Sequence, residues 1–152
     1  RRSNFLALTN QLEQDMKAAM KAKDKETLSV IRMIRAAIKN KEIAQGSVLS
    51  DQEVVDLLAR ELKQREDSLR EFRKAGREDL AVKTEQELKI IQRYLPEPLS
   101  EAELKQMVVE TVQAVGAQTR ADMGKVMTEL MPKVKGRADG KLVNRLVQEQ
   151  LN

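Results

Sequence analysis

Lys133, Lys135, Arg137, Lys141 and Arg145 crowd a short stretch of the chain, and Arg120 and Lys125 precede them. Cations set beside the free backbone N–H groups of a helix start can hold phosphate oxygens. Gly136 and Gly140 interrupt the run, with Asp139 between them. The plain alternative is that both glycines only shape a turn while the charges stay solvated. Phe5, Phe72 and Tyr94 are the only aromatic residues, so none lies in this stretch. Nucleic acid held here would be read through its backbone and shape, because bases would find no ring to stack on.

Other chemistry finds little footing. The chain has no His and no Cys, which removes the usual general base at neutral pH, thiol nucleophiles and most zinc sites. Asp15, Asp51, Asp56, Glu66 and Asp67 sit among Lys and Arg on faces expected to be exposed, and nothing marks any two as a buried pair. Neither a Gly-x-x-x-x-Gly-Lys-Ser/Thr loop nor a Gly-x-Gly-x-x-Gly turn occurs. The serines lack a nucleophile-elbow context. The expectation is therefore no catalytic residue, no metal and no cofactor.

The elements that must position the basic set are helical. Met123, Val126, Met127, Leu130, Met131 and Val134 follow i, i+3, i+4, i+7 spacing and line one face. Their methionines read as core filler. Thr119 with Asp122 three residues on suits a helix start. Pro132 should kink or end that helix, since it lacks a donor and disfavours helical backbone at Met131. Gly136 is a plausible C-terminal cap. Asp139 then caps a last helix with Leu142, Val143, Leu146, Val147 and Leu151 inward. Gly124, at a cost of about 1 kcal/mol in helix propensity, is expected to admit another backbone closely.

The run Asp122-Met-Gly-Lys-Val-Met, then Leu130-Met-Pro132, then Lys135-Gly-Arg-Ala-Asp-Gly140 followed by Val143-Asn144, resembles the signature of GatB/YqeY-type domains. The resemblance is strong over about the last 50 residues and rests on general layout elsewhere. Free-standing YqeY-like proteins are similar in length. The resemblance implies a helical N-terminal domain followed by a small three-helix domain, the latter similar to the tRNA-contacting tail of the GatB component of the glutamine-dependent tRNA amidotransferase. It thus implies Gly124, Pro132, Gly136, Asp139, Gly140 and Asn144 as structural positions. It also raises tRNA as a partner. Carbon–nitrogen ligation with glutamine as nitrogen donor is implied only in company with other subunits, because the residues for ATP, glutamine and amide chemistry are missing here.

The rest of the chain fits an all-α fold. With 34% charged residues and few aromatics, the core must be Leu, Ile, Val, Met and Ala. A first helix is expected from about Phe5 to Lys21, with Phe5, Leu8, Leu12, Met16 and Ala19 or Met20 inward. Asp24 caps a second, with Leu28, Ile31, Ile34 and Ile38 inward. Arg32, Arg35 and Lys39 form a basic ridge on another of its sides. Ser50-Asp-Gln-Glu53 is a capping box opening a long charged helix with Val54, Leu58, Leu62, Leu69 and Phe72 inward. A fourth helix runs from about Glu78 to Tyr94. Leu95-Pro-Glu-Pro-Leu99 is the clearest boundary. It divides an N-terminal helical domain, 1–95, from a three-helix domain, 100–152, that opens on a second capping box, Ser100-Glu-Ala-Glu103.

The net charge is +4. Residues 1–45 hold ten basic and five acidic side chains, residues 46–99 ten and twelve, and residues 100–152 eight and seven. A dedicated nucleic-acid-binding domain is usually more basic, and solvated helix faces account for much of this charge. No apolar run approaches the roughly 20 residues that span a bilayer. The run Phe5-Leu-Ala-Leu after Arg1 and Arg2 is too short for a signal h-region. The resulting expectation is a cytoplasmic, non-catalytic accessory protein. Its partner is RNA or another protein, the latter engaged through the long charged helices.

Overall fold

A computed structural model describes residues 7–151, and all regular structure among them is helical. The order is α1 (Ala7–Ala22), α2 (Lys25–Gln45), α3 (Asp51–Lys74), α4 (Glu78–Gln92), α5 (Glu101–Val115), a 3-10 turn (Arg120–Asp122), α6 (Met123–Val134) and α7 (Gly140–Gln150). Phe5, expected on the inward face of the first helix, lies outside the described residues. The chain divides into two compact units, Arg1–Leu95 and Pro96–Asn152.

The first unit is built from two helical hairpins. Asp24 starts α2 by accepting hydrogen bonds from the Thr27 N–H at 3.1 Å and the Thr27 hydroxyl at 2.7 Å. Ser50 and Glu53 exchange side-chain bonds with each other's N–H at 3.2 and 2.9 Å, so the capping box starts α3. Leu12, Val30, Ile31, Ile34, Ile38, Leu49, Val54, Leu58, Ile90, Ile91 and Tyr94 form the core. Each fully buried Leu or Ile contributes about 2 kcal/mol before conformational entropy is set against it. Two choices among neighbours differ from simple periodicity. Ala19 is buried while Met20 is half exposed, and Val30 is buried while Leu28 is only partly so.

This core stops near Leu62 on α3. Beyond it α3 and α4 continue as a hairpin, with Ala81 and Thr84 buried in its seam and Leu69 and Phe72 partly covered. Ion pairs lace its surface: Arg65 with Glu61 at 2.7 Å and Glu87 at 3.5 Å, Arg73 with Glu85 at 3.0 Å, and Arg70 with Asp67. Carboxylates that could have suggested acid–base chemistry have structural tasks. Asp15 accepts from the Tyr94 hydroxyl, Asp51 from the Leu8 N–H at 3.2 Å, and Asp56 from the Gln52 amide at 3.0 Å.

The second unit is three helices around Leu104, Val108, Val126, Leu130, Val134, Val143, Leu146, Val147 and Leu151. Met123, Met127 and Met131 pack partly buried against that core. Ser100 and Glu103 close the second capping box at 3.1 and 3.0 Å. Pro132 lies in the last turn of α6, which ends close by at Val134, near where the proline was expected to stop it. The helix runs two residues past it, and Lys135 N–H still reaches the Met131 carbonyl at 2.9 Å. In the last turn only one bond is forfeited, so the ring is tolerated there.

The expectation for Gly124 is corrected. It is exposed, and apart from its own stretch of helix no atom lies within 4 Å of where its Cβ would sit. No second backbone uses the gap, because the unit is held by Val126 and Leu130 on the opposite side of α6.

Candidate nucleic-acid interface

The turn between α6 and α7 carries the densest part of the basic set. Lys135 leaves the helix in extended conformation, and Gly136 follows at φ +77°, a left-handed backbone suited to glycine. Arg137 N–H then bonds the Val134 carbonyl at 2.9 Å. The turn is pinned to the proline-rich segment from both sides of one residue. Arg137 Nε donates to the Glu97 carbonyl at 3.0 Å, and the Leu99 N–H donates to the Arg137 carbonyl at 2.8 Å. Arg137 is thus half-buried and spent in part on holding backbone. No spacing rule points to a side chain that satisfies a carbonyl 40 residues earlier, so the sequence could not have shown this.

Asp139 caps α7, its Oδ1 accepting the Lys141 N–H at 3.0 Å. That helix start already holds a carboxylate of its own, which occupies one of the donors an external phosphate would use. Gly140 has ordinary helical backbone and open space at its Cβ position. Asn144 is exposed and accepts from Gln148 at 2.9 Å on the surface of α7.

The seven cations do not form one cluster. Arg120 and Lys125 lie at the beginning of α6, while Lys133, Lys135 and Lys141 lie around its far end. Along α6, Lys125 and Lys133 stand eight residues, about 12 Å, apart. Several are partly neutralised. Lys125 approaches Asp122 at 4.0 Å, Lys133 approaches Glu129 at 3.9 Å, and Arg145 lies between Glu101 at 3.6 Å and Glu149 at 3.9 Å. These pairs are largely exposed, Asp122 being half-buried, and individually weak. Lys133, Lys135 and Lys141 are all exposed around the pinned turn, as is Arg120 near the 3-10 turn.

Two carboxylates here are held below their ordinary range. The Gln118 and Thr119 N–H groups, at 2.9 and 3.3 Å, stabilise the charged form of Asp122. The Ser100 N–H and hydroxyl do the same for Glu103, with a smaller effect from the Arg137 charge. Both remain anionic near neutrality, so they offset the surrounding cations. Among the described residues no three His, Cys, Asp or Glu side chains gather as a metal site. No described helix is long and apolar enough to cross a membrane.

Comparison with known proteins gives consistent relatives. The chain is 33% identical over 141 residues to "Altered inheritance of mitochondria protein 41, mitochondrial" of Pyrenophora tritici-repentis, covering 91% of this chain and 77% of that protein. It is 35% identical over 134 residues to the protein of that name from Saccharomyces cerevisiae strain YJM789, covering 86% and 71%. The Lachancea thermotolerans protein of the same name is 42% identical over 104 residues, covering 66% and 56%. These names correct the cytoplasmic expectation, since the relatives are mitochondrial by name. A lack of cysteine removes disulfides but carries no cellular address. The family description "Yqey-like protein" matches residues 9–151, nearly the whole chain across both units, and the chain therefore belongs to the YqeY-like family.

Proposed function

We propose that this chain is a non-catalytic accessory protein that binds structured RNA, tRNA foremost, through the phosphate backbone. The observation that carries the reading is the exposed trio Lys133, Lys135 and Lys141 around a turn that Arg137 and Gly136 hold in one shape. A pre-shaped turn loses little freedom when it engages an anion. The resemblance of about the last 50 residues to the tRNA-contacting tail of the amidotransferase, read from the sequence motif, supports tRNA as the RNA. Without an aromatic residue in the second unit, recognition would be by charge and shape. The mitochondrial names of the relatives support placing this activity in that organelle.

Fluorescence anisotropy with a folded tRNA transcript tests the proposal. Binding should weaken steeply as salt rises from about 50 to about 200 mM, with a log–log slope reflecting the phosphates engaged. Lys133→Glu, Lys135→Glu and Lys141→Glu together should lower affinity by at least about tenfold. No binding at low salt, or binding that the triple variant leaves unchanged, would sink it. Any part in glutamine-dependent carbon–nitrogen ligation would belong to a complex with other subunits. Turnover of misacylated tRNA by the purified chain would overturn the non-catalytic reading.

A protein-adaptor reading draws on a separate observation, the α3–α4 hairpin that continues beyond the core with a densely charged surface. Co-purification of a stable protein partner without RNA would favour it.

A further inference from the structure

The ion pairs of this protein are unevenly shared, and the imbalance falls on α2. Along α3 and α4, cations meet carboxylates at Arg65, Arg70, Arg73, Lys74 and Arg77. Among the described residues, no Lys or Arg of α1, α2 or their connecting turn makes such a pair, although this stretch is rich in both signs. The carboxylates there are held by uncharged donors instead. Asp15 takes the Tyr94 hydroxyl and the Gln11 amide, Asp24 takes the Thr27 N–H and hydroxyl, and Glu42 takes the Leu49 N–H at 3.0 Å. Glu26 takes the Gln86 amide at 2.7 Å when that amide is turned with its nitrogen toward the carboxylate. Four of the five acidic groups in residues 7–45 are thus committed; of the eight cations, Lys41 acts on the Glu53 carboxylate and Arg35 meets the Met16 sulfur, while Lys25, Arg32 and Lys39 form no ion pair.

Those on α2 are also aligned. Lys25, Arg32 and Lys39 recur every seven residues, about 10 Å apart along one stripe of the helix. All three are exposed. Arg35 flanks the stripe, half-buried, its Nη1 resting 3.0 Å from the Met16 sulfur, which supplies no charge. Arg32 with Arg35, and Arg35 with Lys39, are like-charge neighbours on the helix surface, an arrangement that disfavours the helix on its own. A row of uncompensated cations at regular spacing complements a row of anions.

We propose that this face of α2 is a second RNA-binding surface, engaging the phosphate backbone through Lys25, Arg32, Arg35 and Lys39. It rests on the RNA reading above and adds a contact in the first unit. A nucleic-acid backbone fits better than a lipid surface. The stripe is long and narrow, and between Lys25 and Lys39 it exposes Ser29 and Ala36 where a membrane-seated helix would place large apolar side chains.

The test uses the full chain with a folded tRNA transcript, the Arg32→Glu/Lys39→Glu variant, the milder Arg32→Gln/Lys39→Gln variant, and vesicles of phosphatidylcholine with phosphatidylserine. Both altered side chains are exposed and make no pair, so thermal melting by circular dichroism should match the wild type. If the glutamate variant melts early, the glutamine variant decides. The expected result is an affinity loss of about tenfold or more, with the salt slope reduced by about two. Wild-type affinity and slope in these variants, alongside loss in the Lys133/Lys135/Lys141 variant, would overturn the α2 surface and leave the RNA reading standing. No RNA binding by the wild type would remove both. Vesicle binding that depends on Arg32 and Lys39, with RNA binding unaffected by them, would also overturn the proposal, in favour of a membrane surface.

Discussion

The hydroxyl of Tyr94 donates to Oδ2 of Asp15 across 2.5 Å, joining residues 79 positions apart. It fastens the residues just after α4 to the middle of α1 while the ring fills the first unit's core. Burial and the Asp15 carboxylate both push the phenol well above its ordinary range. Tyr94→Phe should cost about 1–2 kcal/mol, since the partly buried Asp15 loses a donor and keeps only Gln11. Urea unfolding measures it.

The same bond predicts an alkaline limit. The folded state keeps Tyr94 protonated, so its contribution is fully present below the unfolded pKa, about 10, and is lost as pH rises above it. Tyr94 is the only tyrosine and there is no tryptophan. Tyrosinate absorbance should therefore appear together with unfolding rather than before it. An early, independent titration would show that the phenol is not held as described.

At low pH the helix starts should give way first. Asp24 is held below its ordinary value chiefly by the Thr27 hydroxyl, and Glu53 and Glu103 chiefly by the N–H groups of Ser50 and Ser100. A lowered folded pKa means stability that is present above about 4 and lost as pH falls through the folded values. Glu53→Gln with Glu103→Gln should flatten the fall in melting temperature below about pH 4. An unchanged pH profile would count against the capping boxes.

Gly124 sits exposed near the start of α6 with open space where a Cβ would go. Gly124→Ala should stabilise the second unit by about 0.5–1 kcal/mol, raising its melting temperature by a few degrees. A destabilised variant would show that a backbone does approach there.

Arg137 separates charge from position. Arg137→Lys keeps the cation and loses the Nε bond to the Glu97 carbonyl. The proline-rich segment should loosen, with faster hydrogen exchange at the Leu99 amide and a stability loss of about 1 kcal/mol. Unchanged protection at Leu99 would show that the brace carries no weight.

Much of this was legible in the residues. The all-α fold follows from apolar positions recurring with helical period and from scarce aromatics. The starts at Asp24, Ser50, Ser100 and Asp139 follow from side chains that bond N–H groups two or three residues away. Local chemistry decides such features, so a local reading finds them. The Arg32, Arg35 and Lys39 ridge was visible in the same way. Tertiary packing decided the rest. Gly124 looked like a contact point because propensity argued against a glycine without a purpose, and only the packed unit shows that nothing approaches it. Arg137 read as one more cation until its guanidinium was seen on a carbonyl 40 residues away. The seven cations read as one set, yet Lys125 and Lys133 already stand eight residues, about 12 Å, apart along α6. Which charges are paired and which stand uncompensated depends on distances between side chains remote in sequence, and those distances are fixed only when the helices pack.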